Sequence, residues 1–159
     1  IPSTSHALSK SEFQIIGEKY GVPPNLLRAL SAVGSQNGRV PGDYEVRKVV
    51  DDEQLKFLGK IAEDTGRPIS DFKGSSAGAI GYIQFMPTTF YYYAQDGNGD
   101  GIKDPLNSYD SVATAAYFLA QKIAKENSIA AALKSYSNNP AFYEKILKLY
   151  WKLESEEKS

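Results

Sequence analysis

Apolar residues return at helical intervals along nearly the whole chain, and the apolar–polar alternation of a strand is almost absent. Ser9-Lys10-Ser11-Glu12 has capping-box spacing ahead of Phe13, Ile16 and Tyr20, and Gly21 closes that helix. Pro23-Pro24-Asn25 opens a second helix whose apolar face is Leu26, Leu27, Leu30 and Val33. Asp51 and Asp52 open a third over Leu55, Leu58 and Ile61, which ends at Gly66. A short aromatic helix is expected over 88–95. A longer one, capped by Asp110, is expected to run to Lys125 with Val112, Ala116, Leu119 and Ile123 on one face. Two more follow over 128–136 and 140–153, and a short extended piece is expected at 44–50. The pattern predicts an all-α, mainly helical single domain over 1–159, with a polar arm at 1–8 and a frayed charged tail at 154–159.

A chain of 159 residues with 42% hydrophobic content can bury a core without covalent staples. It contains no cysteine, which excludes disulfides, thiolate catalysis and cysteine metal ligands. A net charge of −1 leaves no electrostatic footprint for nucleic acid. No apolar run approaches the ~20 residues of a membrane span. Beginning at Ile1, the sequence reads as a processed or excised segment, with any signal peptide or anchor outside it. The single histidine, His6, lies in the polar arm and is assigned no role. Eleven tyrosines suit the faces of sugars, and equally a tyrosine-rich core.

Gly74 to Phe90 reads GSSAGAIGYIQFMPTTF. Its glycines permit close approach of backbone to backbone or to a ligand. Gln84, Ser75 and Ser76 are neutral hydrogen-bonding groups among apolar neighbours, which suits an uncharged polar substrate. A tight corner between packed helices accounts for the same residues. Further on, Asp96, Asn98, Asp100 and Asp104 stand at positions 1, 3, 5 and 9 of a loop, with Gly101 at 6 and the Ile102 carbonyl at 7. Hard cations favour this spacing because alternate side chains converge on one point. Position 12 is Asn107, so the bidentate glutamate of an EF-hand is missing, and Asp104 or Asp110 would have to compensate. The loop predicts a weak, structural Ca2+ site, with a plain solvated Asp/Gly turn as the alternative.

Phe72-Lys73-Gly74-Ser75-Ser76-Ala77-Gly78-Ala79-Ile80-Gly81-Tyr82-Ile83-Gln84-Phe85-Met86-Pro87 resembles the signature of lytic transglycosylases, nearest the membrane-bound lytic transglycosylase B group. The Asp/Gly-rich loop, Asp104-Pro105, Tyr117-Phe118-Leu119 and Ala132-Leu133-Lys134-Ser135-Tyr136-Ser137-Asn138 follow in the family's order, and the resemblance spans 22–147. It implies a lysozyme-like fold and cleavage of the β-1,4 bond between N-acetylmuramic acid and N-acetylglucosamine. One glutamic acid protonates the leaving oxygen and then deprotonates the muramoyl 6-hydroxyl, giving a 1,6-anhydro product. By motif position the resemblance implies that Ser75 and Gln84 bind substrate or orient the acid. Tyr82 and Phe85 line the groove, Met86 packs beneath it, and Tyr136 positions the scissile sugar. Ser137 replaces the family's asparagine. The partners implied are peptidoglycan strands and N-acetylglucosamine oligomers, met outside the cell or at its wall by a monomer.

The family's glutamate stands near the end of an apolar helix, shortly before Gly-Arg-Val. Anchoring on Gly38-Arg39-Val40 puts Gly34 at that position, whereas the register that selects Gln36 breaks the anchor. A helical glycine costs about 0.5–1 kcal/mol relative to alanine, and a C-cap is the alternative explanation of Gly34. Glycine moves no proton, and the other nearby carboxyls, Glu45 and Glu53, read as surface charges. The expectation is an enzyme domain in an inactivated form. The alternatives are a silent glycan-binding module, a hydrolysing lysozyme, and a calcium-dependent adhesion domain.

Overall fold

A computed structural model describes residues 7–35, 42–137 and 139–158. His6, Gln36, the Gly38-Arg39-Val40 anchor and Asn138 lie outside the described residues. The Ser9 hydroxyl accepts the Glu12 N–H at 3.2 Å and the Glu12 carboxylate accepts the Ser9 N–H at 2.8 Å, so α1 (Lys10–Tyr20) starts at a complete capping box. It ends at Gly21, in the left-handed conformation. Helix α2 spans Pro24–Ser35. The Asp51 carboxylate accepts the Gln54 N–H at 2.9 Å to open α3 (Asp52–Thr65), and Gly66 closes it. Then come α4 (Pro87–Tyr93), α5 (Ser108–Glu126), α6 (Ile129–Tyr136) and α7 (Pro140–Lys158).

Helix α5 runs through the middle, burying Val112, Ala113, Ala115, Ala116, Phe118 and Leu119, and touches α1, α2, α4 and α6. Small residues there let neighbouring helices approach closely. Helix α2 sends Leu26, Leu27 and Leu30 into the same core and lies along α7, whose Ile146 and Tyr150 are buried. The one sheet among the described residues is an antiparallel pair, β1 (Tyr44–Glu45) with β2 (Lys73–Gly74), in the register Tyr44↔Gly74 and Glu45↔Lys73.

Three sequence expectations need correction. The extended piece at 44–50 is two residues long, because Val46–Lys48 turn into a 3₁₀ helix. Helix α5 is capped by Asn107, whose Oδ1 accepts the Tyr109 and Asp110 N–H groups at 2.9 and 3.1 Å. Asp110 lies inside the first turn and is fully buried. The charged tail is helical to Lys158 rather than frayed. It is tied to the helix bundle where Asn25 Nδ2 donates to Glu154 at 3.3 Å and Lys10 pairs with Glu157 at 3.3 Å.

Candidate active site

The segment between β2 and α4 folds on itself in two reversals. The Ser75 N–H donates to the Ala79 carbonyl at 3.0 Å, and the Ala79 N–H returns to the Ser75 hydroxyl at 3.1 Å. Ile80 and Phe85 then exchange both backbone hydrogen bonds, at 2.7 and 3.2 Å. Phe72, Ile80, Ile83 and Phe85 anchor this segment in the core. Gln84 adopts a left-handed backbone, φ 58°, and its Nε2 donates to the Gly81 carbonyl at 3.0 Å. A non-glycine residue there stores strain that the surrounding contacts must hold.

A cleft of about 500 Å³ opens against this segment. Ser75, Gln84 and Met86 come to it from the reversals, Tyr136 and Ser137 from the end of α6, Phe142 from α7 and Gly34 from α2. Ala77, Ala79, Ser135 and Asn139 complete the lining, and among the described residues no charged side chain is part of it. Gly34 is helical and is not among the glycines of positive φ, which removes the C-cap explanation. A Cβ built on it would meet Phe142 Cζ and the Tyr82 carbonyl oxygen at 3.8 Å and the Ile83 carbonyl carbon at 3.9 Å, ordinary contact distances. A side chain at position 34 therefore has room and leads into the cleft.

The remaining predicted residues divide. Tyr82 and Phe85 are buried and are not among the residues that line the cleft. Phe85 packs beneath it on Tyr136 and Phe118, with ring centroids 4.6 and 5.2 Å away. Met86, expected below the site, lies on its wall. The Tyr136 hydroxyl donates to the Ile83 carbonyl, so its proton holds the reversal, and burial pushes its phenol well above the ordinary tyrosine range. Glu45 pairs with Lys48 and Arg47, and the Lys48 hydrogen bond holds its carboxyl below the usual range. Glu53 is exposed, and neither carboxyl lines the cleft.

The second predicted site is the loop between α4 and α5. Asp96 accepts the N–H groups of Gly99, Asp100 and Gly101 at 2.9, 3.2 and 2.8 Å, which curls the loop around its carboxylate. Carboxylate oxygens of Asp96, Asp100 and Asp110 lie within 4.8 Å of one another. Asn98 bonds Asp100 at the rim, and Ile102 is exposed with its N–H on Asp100. Asp104 does not join them. Its Oδ2 accepts from Arg67 Nε and Nη2 at 2.9 and 2.7 Å, because the guanidinium at the end of α3 offers it a paired charge. Asp110 takes the third carboxylate's place, accepting the Gly97 and Asp104 N–H groups at 2.7 and 2.9 Å. Burial is the main cause that lifts its carboxyl to about 6, with those two N–H groups opposing and the Asp100 charge adding to the rise.

Residues 5–145 match the Transglycosylase SLT domain family. The chain belongs to that family. Membrane-bound lytic murein transglycosylase B of Escherichia coli (strain K12) is 34% identical over 127 residues, 70% of this chain and 35% of that protein, so the SLT domain spans about a third of that relative's length. The Escherichia coli lytic transglycosylase Slt35 in complex with bulgecin A superposes with a TM-score of 0.80 at 16% identity, covering 94% of this chain and 71% of that one. In complex with calcium it gives 0.64 at 26% identity, over 70% and 40%. SltB3 from Pseudomonas aeruginosa in complex with NAG-anhNAM-pentapeptide gives 0.61 at 28% identity, over 70% and 33%. The fold of this SLT domain is thus the lysozyme-like fold of lytic transglycosylases.

Sequence reasoning missed Phe142, Ser135, Asn139 and the two alanines of the SLT domain's cleft. Phe142 sits two residues into α7 and carries only the helical period of a core residue, so no local signal marks it. No described helix of the SLT domain is long and apolar enough to cross a membrane.

Proposed function

We propose that this SLT domain is a peptidoglycan lytic transglycosylase unit in which Gly34 stands where the acid belongs, so that it binds glycan strands without cleaving them. The observation that carries the reading is the placement of Gly34. It is helical, opens into a cleft that is neutral among the described residues, and has space for a side chain where no other described lining residue supplies a carboxylate. The cleft's hydroxyls, amides and apolar surfaces suit N-acetylated sugars, whose rings, hydroxyls and acetamido groups are neutral and amphipathic. The relative SltB3, solved with NAG-anhNAM-pentapeptide, supports the same substrate class. Such strands lie outside the cytoplasmic membrane, which is where the domain would work.

With a glutamic acid at position 34 the chemistry closes. The carboxyl gives its proton to the bridging oxygen as the C1–O4 bond breaks. The muramoyl 6-hydroxyl oxygen then bonds to C1, and its proton returns to the carboxylate. One carboxyl suffices because the nucleophile belongs to the substrate.

Asp96, Asp100 and Asp110 would hold a calcium ion, since three close carboxylates are a hard oxygen donor set, and Slt35 has been solved with calcium. The ion's role would be to neutralise the loop and fasten it to α5.

The decisive experiment incubates purified peptidoglycan with the chain and with its Gly34→Glu variant and identifies soluble products by mass spectrometry. Only the variant is expected to release 1,6-anhydromuramoyl fragments. Release by the unmodified chain would place the acid elsewhere, and reducing-end products from the variant would make it a hydrolase. If neither protein releases fragments while N-acetylglucosamine oligomers still bind, the domain is a binding module.

A further inference from the structure

Three tyrosines follow one another in α4, and a helix turns each about 100° from the last. Tyr93 goes to the core, its ring centroid 4.9 Å from that of Phe118 and 6.2 Å from that of Tyr117. Tyr91 and Tyr92 stand outside, Tyr92 with 70% of its surface exposed. Both rest on Phe57 of α3, each with its ring centroid 5.3 Å away, and Lys60 has its ammonium over the Phe57 and Tyr91 rings at 4.8 and 5.3 Å. Helices α3 and α4 start side by side, where Gln54 Nε2 donates to the Thr88 hydroxyl and Gln54 Oε1 accepts the Thr88 N–H, both at 3.0 Å. Towards their far ends, about 15 Å along α3 from Gln54, a pocket of about 230 Å³ is lined by Ile61, Asp64, Phe90, Tyr91, Ala94 and Lys103. It shares no residue with the cleft. Asp64 and Lys103 are exposed, and among the described residues neither side chain has a hydrogen-bond or ion-pair partner.

We propose that this pocket is a second carbohydrate site, which takes one N-acetylhexosamine unit of a glycan strand against the Tyr91 ring, with Tyr92 as a further open ring beside it. That the sugar is N-acetylated rests on the substrate class proposed above; the pocket's own chemistry asks for a neutral polyol ring. A sugar hydroxyl both donates and accepts, so one uncharged ring satisfies the Asp64 carboxylate and the Lys103 ammonium together. Ile61, Phe90 and Ala94 give an apolar floor, and the aromatic wall accepts the C–H face of the sugar. A metal ion would find a single carboxylate here, and a phosphate a single ammonium facing an acid. An amino acid would meet both charges but leave the two rings uncovered. Helix α3 mixes Glu53, Lys56, Lys60 and Asp64, which gives no basic surface for an anionic membrane. Adjoining exposed rings beside a polar pocket also differ from the isolated apolar residues found on any protein surface.

The test titrates the full chain with N-acetylglucosamine tetramer, followed by nitrogen-15 NMR, with Asp64→Ala, Tyr91→Ala and Tyr92→Ala beside it. Amides of Tyr91, Ala94 and Lys103 are expected to shift as one set with an affinity of their own, apart from those of Ser75, Gln84 and Ser137 in the cleft. Each substitution should weaken the first set about three- to tenfold and leave the second unchanged. A first set that does not move at millimolar tetramer, or that moves equally in all three variants, overturns the proposal. If Tyr91→Ala does not fold, the substitutions of the more exposed Asp64 and Tyr92 decide. A first set that answers to dialanine and not to the tetramer makes the pocket a site for a peptide end, and the carbohydrate site falls. Response of the α3–α4 set alone leaves this inference standing and removes glycan binding in the cleft. Response of the cleft set alone does the reverse.

Discussion

A Cβ on Gly81 would collide with the Pro105 carbonyl oxygen, and the backbone there is left-handed, φ 75°; a Cβ on Gly34 would meet nothing closer than 3.8 Å. The first glycine is required by the fold, since both the close approach and the backbone conformation exclude a side chain. The second is required by nothing the described residues show. Gly81→Ala is accordingly expected to lower stability by about 2–4 kcal/mol in urea denaturation. A loss below about 1 kcal/mol would mean that the Pro105 carbonyl yields easily and that the reversal is not rigid. The two positions look alike in sequence. Gly34 was separable from an ordinary helix-ending glycine only through its spacing to Gly38-Arg39-Val40, and its direction into the cleft is a fact of the packing of α2 on α7 and on the 75–86 segment.

Helix boundaries were largely legible because caps act over three or four residues. The capping box at Ser9, the Asp51 cap and the closing glycines Gly21 and Gly66 are where the sequence predicts them. Asn107 is the exception. Asp110 has the better-known capping chemistry, yet its carboxylate is drawn to the N–H groups of Gly97 and Asp104, contacts outside its own helix. Because the Asn107 amide oxygen serves two N–H groups in a buried position, Asn107→Ala should cost about 1–2 kcal/mol, and Asn107→Ser less, since a hydroxyl can accept one of them. Denaturant midpoints of the two variants measure the difference. Equal midpoints for wild type and Asn107→Ala would show that α5 starts without this cap. The tail was misjudged for a related reason: ESEEKS offers no apolar period, and its helix depends on Asn25 and Lys10, which lie more than a hundred residues earlier.

At the scale of the molecule, the acidic loop joins α4 to the buried start of α5, and the Arg67–Asp104 pair fastens it to the end of α3. A cation among Asp96, Asp100 and Asp110 would relieve repulsion that falls partly on a buried carboxyl and would stabilise the folded state by mass action. Calcium at about a hundred times its dissociation constant contributes about 2.7 kcal/mol, which for a chain of this size raises Tm by about 5–10 °C. Calorimetry with millimolar calcium and then with a chelator should show the rise and its reversal, and Asp100→Asn should remove most of it. No shift at millimolar calcium would leave the loop as a solvated turn.

The sequence by itself determined the helices, the glycine-rich reversals and the loop of alternating oxygens, because each is set by contacts a few residues apart. Tertiary structure alone decided which of these residues share a site. Gly34, the 75–86 segment, Tyr136 and Phe142 converge only once α2, α6 and α7 are packed, and Asp104 is taken from the acidic cluster by Arg67, 37 residues away in the chain. Contacts of that range depend on where buried surfaces settle against each other, a matter on which helical period and capping chemistry are silent.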